Sequence, residues 1–93
     1  MYVGIMQVEL KLHGPTNLKE KRRIVKSLKD RVRHRFEVAV AEVGPLEAYT
    51  ESVLGIAVVS NDGRHARQRC QAVLEFLENA RDAEVVDHQV EVL

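Results

Sequence analysis

The chain of 93 residues has almost no cysteine and no long apolar run, the features that stabilise secreted proteins and insert into membranes. It has a single cysteine, Cys70, so it cannot form an internal disulfide bond, and a reducing cytoplasm suits it. No apolar run reaches the ~18 residues that a membrane-spanning helix needs. The opening residues, MYVGIMQVEL, carry no basic stretch, so we expect no secretory signal peptide. These absences predict a cytoplasmic protein with one domain over residues 1–93.

Residues that build active sites are also scarce. There is no tryptophan, and the aromatic residues are two tyrosines and two phenylalanines. The four histidines show no metal-ligand spacing with one another or with Cys70, and no Ser/His/Asp or Cys/His arrangement can be argued from spacing. The turn before the first predicted helix has only Gly14, and Pro15 removes an amide that a phosphate cradle would use. We therefore predict no catalytic residue, no cofactor and no metal ligand, and a protein that is not an enzyme.

What the chain does have is a strongly basic segment from Asn17 to Phe36. Nine of its residues are Lys or Arg and two are acidic, so its formal charge is +7 in a chain whose net charge is zero. The remaining residues are acidic to the same extent. Asn17 is a good N-cap, and Glu20 stands three residues later, as in a capping box. The segment therefore predicts a helix whose charge is separated from that of the rest of the chain.

This predicted helix has an apolar side and a basic side. The apolar residues recur at helical spacing, with Ile24 at the margin: Leu18, Val25, Leu28 and Val32. Five cations recur at steps of three and four residues and line one flank: Lys19, Arg22, Lys26, Lys29 and Arg33. Like charges at these steps destabilise an isolated helix by roughly 0.2–0.5 kcal/mol per pair. Packing of the apolar side, or an anionic partner, must offset that repulsion.

Hydrophobic periodicity also predicts the fold. Strands are indicated at residues 2–12, 36–43, 52–60 and 84–93, and a second helix runs from the turn at 61–63 to about Ala80. The apolar stripe of that helix comprises Ala66, Cys70, Val73, Leu74 and Leu77. In the last strand, Val86, Val90 and Val92 should face inward, and His88 shares their side and should be partly buried. The order β-α-β-β-α-β predicts an α+β, ferredoxin-like sandwich: a four-stranded antiparallel sheet, in the order 4-1-3-2, with both helices on one face.

The two predicted helices should run antiparallel in this fold, which has a consequence for charge. Glu75 and Glu78, at the end of the second helix, would then lie near the start of the first, beside Lys19, Lys21 and Arg22. Arg64 and Arg67, at the start of the second helix, would extend the basic surface beyond Arg33. We include both arginines, and Arg23, among the candidate nucleic-acid-binding residues.

The uncovered face of the predicted sheet is apolar at its centre. Alternation places eight residues there: Val3, Ile5, Ala39, Ala41, Val43, Val53, Ala57 and Val59. A sheet face exposed to water normally alternates to polar residues, and a small apolar patch of this kind often marks an interface. The pattern favours a homodimer through this open face, although isolated alanines and glycines expose little area and a monomer can tolerate them.

The patterns NLKEKRR after the first strand, FEVAVAEVG in the second and VVSND before the second helix resemble those of the YlxP-like proteins. These are small bacterial proteins catalogued as a domain of unknown function, and the resemblance spans nearly the whole chain. It implies a ferredoxin-like fold. Because members are often encoded beside translation-initiation and ribosome-maturation factors, it also implies a link to ribosomes or RNA. The family more often has Ser at the position of Asn17 and often has Trp near Tyr49.

Two functions remain open on the sequence. The first is a non-enzymatic cytoplasmic protein that binds RNA or the ribosome through the basic helix. Because the helix carries no interleaved aromatic residues, phosphate contacts to structured RNA are favoured over base stacking. The alternative is a structural or protein-interaction module that acts as a homo-oligomer and has no nucleic-acid role, its basic face only solvated. A small hydrolase is disfavoured, since no nucleophile, base and phosphate cradle converge.

Overall fold

A computed structural model describes all 93 residues and contains four strands and two helices. The elements are β1 (Tyr2–Leu12), α1 (Leu18–Arg35), β2 (Ala39–Gly44), β3 (Glu51–Ser60), α2 (Gly63–Glu78) and β4 (Ala83–Val92). The strands form one sheet in the order β2-β3-β1-β4, and every neighbouring pair is antiparallel. This is the predicted ferredoxin-like α+β arrangement, with the predicted strand order. Neither helix is long and apolar enough to cross a membrane.

The core lies between the helices and one face of the sheet. Inward residues of β1 and β3 alternate with exposed or half-buried ones, as the period of two requires. From α1 the core receives Val25, Leu28 and Val32, and from α2 it receives the whole predicted stripe: Ala66, Cys70, Val73, Leu74 and Leu77. Leu18 is only half-buried. A Cβ on Gly4 would lie 2.9 Å from Val58 and 3.1 Å from the Cys70 sulfur, so the absence of a side chain lets α2 approach β1 closely.

The cap of α1 forms with one difference from the predicted capping box. The Asn17 side chain accepts a hydrogen bond from the Glu20 amide at 2.9 Å. The Glu20 carboxylate reaches past Asn17 to Thr16 and accepts from its amide at 2.7 Å and its hydroxyl at 2.6 Å. These hydrogen bonds from Thr16 hold the pKa of Glu20 below its ordinary value. The side chains of Asn17 and Glu20 therefore both fix the first turn of α1. The Glu20 carboxylate, however, binds Thr16, one residue before the Asn17 amide that a capping box would use.

The predicted start of the second strand was wrong. Phe36, which was assigned to the strand, is the C-cap of α1, and its amide donates to the Val32 carbonyl at 2.8 Å. Its ring packs edge-on against Phe76 with centroids 5.8 Å apart. This contact and the helical hydrogen bond hold Phe36 on α1, so β2 begins only at Ala39.

The predicted inner face of the last strand was also partly wrong. The register with β1 shifts between Glu9 and Leu10: Glu9 lies opposite Asp87, whereas Leu10 lies opposite Val85. Val86 is the extra residue of this bulge and is 54% exposed, while Val85 packs against the core in its place. His88 keeps the inner side, opposite Val8, but is exposed because β4 is an edge strand with a neighbour on only one side.

The expected pairing of Glu75 and Glu78 with the start of α1 does not form, since no ion pair joins them to that helix. The observed contacts involve the C-terminal ends of both helices instead. Phe36 meets Phe76 there, and the Arg35 guanidinium lies 5.5 Å from the centre of the Phe76 ring. Aromatic and cation–π contacts therefore join the two helices at this junction, where the predicted ion pairs do not form.

Candidate nucleic-acid interface

The predicted basic flank of α1 faces solvent, and part of it is free of partners. Lys19, Arg22 and Arg23 are exposed, and their side chains make no hydrogen bond or ion pair with the rest of the chain. Lys29 is half-buried and also has no such partner. Because an α-helix rises by 1.5 Å per residue, Lys19 and Lys29 are about 15 Å apart along the helix axis. These four residues form an unpaired basic row on one element.

Two of the predicted cations already have partners. The Lys26 ammonium lies 2.8 Å from a carboxylate oxygen of Asp30, and Arg33 lies 3.7 Å from the other. Arg33 also donates to the Val40 carbonyl of β2 at 2.9 Å. The hydrogen bond from Lys26 is the main cause of the lowered pKa of Asp30. Lys26 and Arg33 are therefore less available to a partner than their spacing implied.

Arg64 and Arg67 lie in the first two turns of α2, are exposed, and make no contact that ties them to α1. The link between α2 and the end of α1 is instead made by Arg69, which donates to the Glu37 carbonyl at 2.7 Å. The structure thus brings six of the eight candidate residues together on one helix. The other two lie on the second helix, and no contact joins them to the first.

The predicted position of Lys21, beside Glu75 and Glu78 on the surface, was wrong, because Lys21 is buried. Lys21 is 1% exposed, and its ammonium lies 3.0 Å from the Glu42 carboxylate. It also donates to the carbonyls of Pro45 at 2.6 Å and Leu46 at 3.4 Å. The Ser52 hydroxyl donates to the same Glu42 oxygen at 2.7 Å. Lys21 therefore connects the start of α1 to the end of β2, to the turn that follows it and, through Glu42, to β3.

The spacing contained a signal for this residue. Lys21 falls between Leu18 and Val25 at steps of three and four, so it belongs to the core-facing stripe of α1. Glu42 likewise has the same parity as Val40 in β2, whose side chain is buried. Two opposite charges on inward positions of neighbouring elements predict a pair, because an isolated buried charge is strongly unfavourable.

Three further arginines surround a groove between the C-terminal ends of the helices. The groove has a volume of about 490 Å³ and is lined by Arg31, Arg35 and Arg81, among others. Arg31 is held 3.3 Å from Asp82, and Arg35 lies over the Phe76 ring. Arg81 is exposed. The groove adds cations to the basic surface at the far end of α1, beyond the predicted row.

Neither aromatic stacking nor metal binding is prepared on this surface. Phe36 and Phe76 pack against each other, and no aromatic residue lies among the exposed cations of α1. No group of three His, Cys, Asp or Glu residues is placed to hold a metal ion. What the exposed side of α1 presents is a set of guanidinium and ammonium groups, whose natural ligands are phosphates and carboxylates.

Comparison with known proteins gives the family. The chain is 29% identical over 82 residues to the protein of Bacillus subtilis (strain 168) called "Uncharacterized protein YlxP", and the match covers 88% of this chain and 89% of that protein. Residues 3–90 match the family model described as "Protein of unknown function (DUF503)". The resemblance to YlxP-like proteins is thereby confirmed, and the chain belongs to the DUF503 family.

Proposed function

We propose that this protein binds structured RNA, free or within the ribosome, through the exposed side of α1. The observation that supports the proposal best is the unpaired basic row of Lys19, Arg22, Arg23 and Lys29. The acids nearest the row are Glu20, whose carboxylate accepts hydrogen bonds from Thr16, and Asp30, whose carboxylate is paired with Lys26 and Arg33. Cytoplasmic residence and a role without catalysis belong to the same proposal.

The chemistry of the row favours phosphate groups over bases. A row of cations about 15 Å long can meet several phosphates of one strand, which fixes the position of a protein but carries no sequence information. Base recognition would need stacking rings or neutral hydrogen-bonding side chains among the cations, and the exposed side of α1 offers only Ser27 and, in its last turn, His34. The expected ligand is therefore the backbone of folded RNA, bound with little sequence preference.

The decisive experiment reverses two charges of the free row, Lys19→Glu with Arg22→Glu. Both replacements lie near the N-terminus of α1, where acids are favourable, and each creates an i,i+4 pair, with Arg23 and Lys26 respectively. The helix should therefore remain folded. We expect binding to a fluorescent RNA hairpin to weaken. The slope of log affinity against log salt should fall by about 1 for each phosphate that the variant no longer binds.

The matched control is Lys11→Glu, an exposed cation of β1 on the opposite side of the molecule. It changes the net charge by the same amount as Arg22→Glu alone. RNA affinity should fall much more for Arg22→Glu than for Lys11→Glu. Equal losses would mean that only net charge matters. No binding by the native chain, with no salt-dependent sedimentation alongside bacterial ribosomes, would favour the interaction module without a nucleic-acid role.

The ion pairs of α1 also rank the candidate residues. Lys26 must leave Asp30 before it can contact a phosphate, whereas Arg22 has no partner to leave. Neutralising Arg22 to Gln should therefore reduce the salt slope more than neutralising Lys26 to Gln. Reversing Lys26 and Arg33 to Glu is a poor test, because the two new acids would lie one turn before and one turn after Asp30 and would repel it. RNA titrations at several salt concentrations give the slope of log affinity against log salt for each of the two neutral variants.

A further inference from the structure

The open face of the sheet has an apolar trough over β2, β3 and part of β1. Its volume is about 390 Å³, and nine of its eleven lining residues are hydrophobic. The floor is built from the smallest side chains, Ala39, Ala41, Gly55 and Ala57. Larger side chains rise around it, with Ile5 36%, Val43 55% and Val59 61% exposed. All eight residues predicted to lie on this face have the predicted parity.

Charged residues on the same face lie outside the trough, on β4 and at the end of the sheet where Glu9, Lys11 and Glu51 lie. On β4, at the far edge of the sheet from the floor, Glu91 pairs with Ile5 of β1, and Asp87 pairs with Glu9 of β1. Residues paired in this way across neighbouring strands form a row. No charged residue lies in the two rows of β2 and β3 that form the floor, Ala39 with Ala57 and Ala41 with Gly55. The open face thus has an apolar area over β2, β3 and the start of β1, an acidic strand β4, and a charged end where Glu51 of β3 lies opposite Lys11 of β1.

We propose that a second copy of this chain covers the apolar area, face to face, about a two-fold axis that runs parallel to the strands above β3. Closed two-fold pairing is the commonest arrangement of identical chains. Sheets pack about 10 Å apart, and a floor of Ala and Gly permits that approach. In this arrangement β3 faces β3, and β1 of each copy faces β2 of the other.

The charge of β4 favours this axis over the other two-fold axis that stacks the sheets; Glu51 of β3 would face its own copy about the proposed axis, but Lys11 lies beside it and offsets the repulsion. An axis across the strands would place β4 over β4 of the second copy and bring Asp87 close to Glu91, with no cation on that strand to offset the repulsion. An axis along β3 reverses the lateral order of the strands. Because β4 is two strands from β3 on one side and β2 is only one strand away on the other, the acidic strand then projects beyond the contact.

Side-chain size agrees with the same axis. Ile5, Ala57 and Ala39 occupy one row across β1, β3 and β2. A two-fold axis along β3 keeps the position of each row along the strands. It reverses the order of the strands within the row. The large Ile5 of each copy then lies over the small Ala39 of the other, which fills the trough from both sides. The two α1 helices end up on opposite outer layers, so the pairing leaves the basic surfaces free.

Sedimentation equilibrium at micromolar concentration tests the proposal. We expect a species with the mass of two chains, which Ala57→Glu dissociates without loss of helical circular dichroism. The matched control, Gln89→Glu, adds the same charge on β4 outside the contact and should leave the dimer intact. A single species with the mass of one chain would overturn the proposal, as would equal dissociation by both variants.

Cross-linking tests the axis itself. Chains carrying Ile5→Cys are mixed with chains carrying Ala39→Cys and treated with a short bismaleimide. The native Cys70 is buried, and burial raises the pKa of its thiol, so it should react slowly. We expect a product joining one chain of each kind. A cross-link between two Gln89→Cys chains, without the mixed product, would show the other axis and overturn the proposed geometry.

Discussion

The two faces of this sheet are made from alternate residues of the same strands, and both are apolar at the centre, yet they differ in side-chain volume. The covered face presents Met6, Leu54 and Ile56, which are at most 2% exposed beneath the helices. The open face presents Ala39, Ala41 and Gly55 at the corresponding positions. Both faces are therefore apolar enough for contact, but the covered face fills the space beneath the helices with large side chains, whereas the centre of the open face is a shallow trough of small ones.

The largest expected effect separates the faces by stability. Leu28 is fully buried under the sheet, and Leu28→Ala should lower the free energy of unfolding by about 2–5 kcal/mol, through reduced burial and the cavity left behind. Val59→Ala on the open face, where the side chain is 61% exposed, should change it by no more than about 0.5 kcal/mol. Urea unfolding at low protein concentration measures both. Similar losses would mean that the open face is part of the folded core.

The next effect concerns the one lysine on the covered side. Lys21→Ala should lower the free energy of unfolding by about 3 kcal/mol, because it leaves the largely buried Glu42 carboxylate without its charge partner. A second variant, Lys21→Met with Glu42→Leu, replaces the pair by apolar side chains and should recover most of that loss. The difference between the two variants, by urea unfolding, isolates the effect of an unpaired carboxylate. Equal losses would show that shape, rather than charge, makes Lys21 necessary.

The covered face was largely predictable because it depends on periodicity. Spacing in α2 placed its five core residues correctly, and alternation in β1 placed Met6, Val8 and Leu10 inward. These signals are local, since each residue's direction follows from its place in its own helix or strand. The fold followed from the same periodicity, whereas the family followed from the resemblance carried by NLKEKRR, FEVAVAEVG and VVSND.

The predictions of burial failed where the environment of a residue depends on a segment distant in the sequence. Lys21 is tolerated in the core only because the Glu42 carboxylate, which also accepts a hydrogen bond from Ser52, and the Pro45 carbonyl meet it there. Val86 is exposed because it is the extra residue of the bulge between the Glu9–Asp87 and Leu10–Val85 pairs, which alternation within one strand cannot reveal. Of the candidate site, spacing predicted the row of cations but not that Asp30 would occupy Lys26 and Arg33.

A smaller effect compares glycines on the two faces. A Cβ on Gly4 would meet Val58 at 2.9 Å and the Cys70 sulfur at 3.1 Å, in a core that cannot give way easily. Gly4→Ala should therefore destabilise the fold by about 1–3 kcal/mol. A Cβ on Gly55 would meet Val43 most closely, at 3.0 Å, and that side chain is exposed and can rotate, so Gly55→Ala should stay within about 0.5 kcal/mol. Thermal melts of the two variants rank them, and a larger loss for Gly55→Ala would reverse the comparison.

The smallest expected effect lies outside both faces, at the start of α1, and separates charge from packing. The pKa of Glu20 is lowered from its ordinary value of 4.5, chiefly by the hydrogen bond from the Thr16 hydroxyl. The folded state therefore binds fewer protons than the unfolded state in this range, so the stabilisation is fully present above the ordinary pKa and is lost as pH falls through the lowered one. Glu20→Gln should remove this acid-dependent part of the stability, whereas Leu28→Ala should remain as pH-sensitive as the native chain.

Thr16→Val, which removes the hydroxyl but keeps the carboxylate, should raise the pKa of Glu20 back towards 4.5 in a carboxyl NMR titration. An unchanged pKa in that variant would show that the Thr16 amide alone holds the carboxylate.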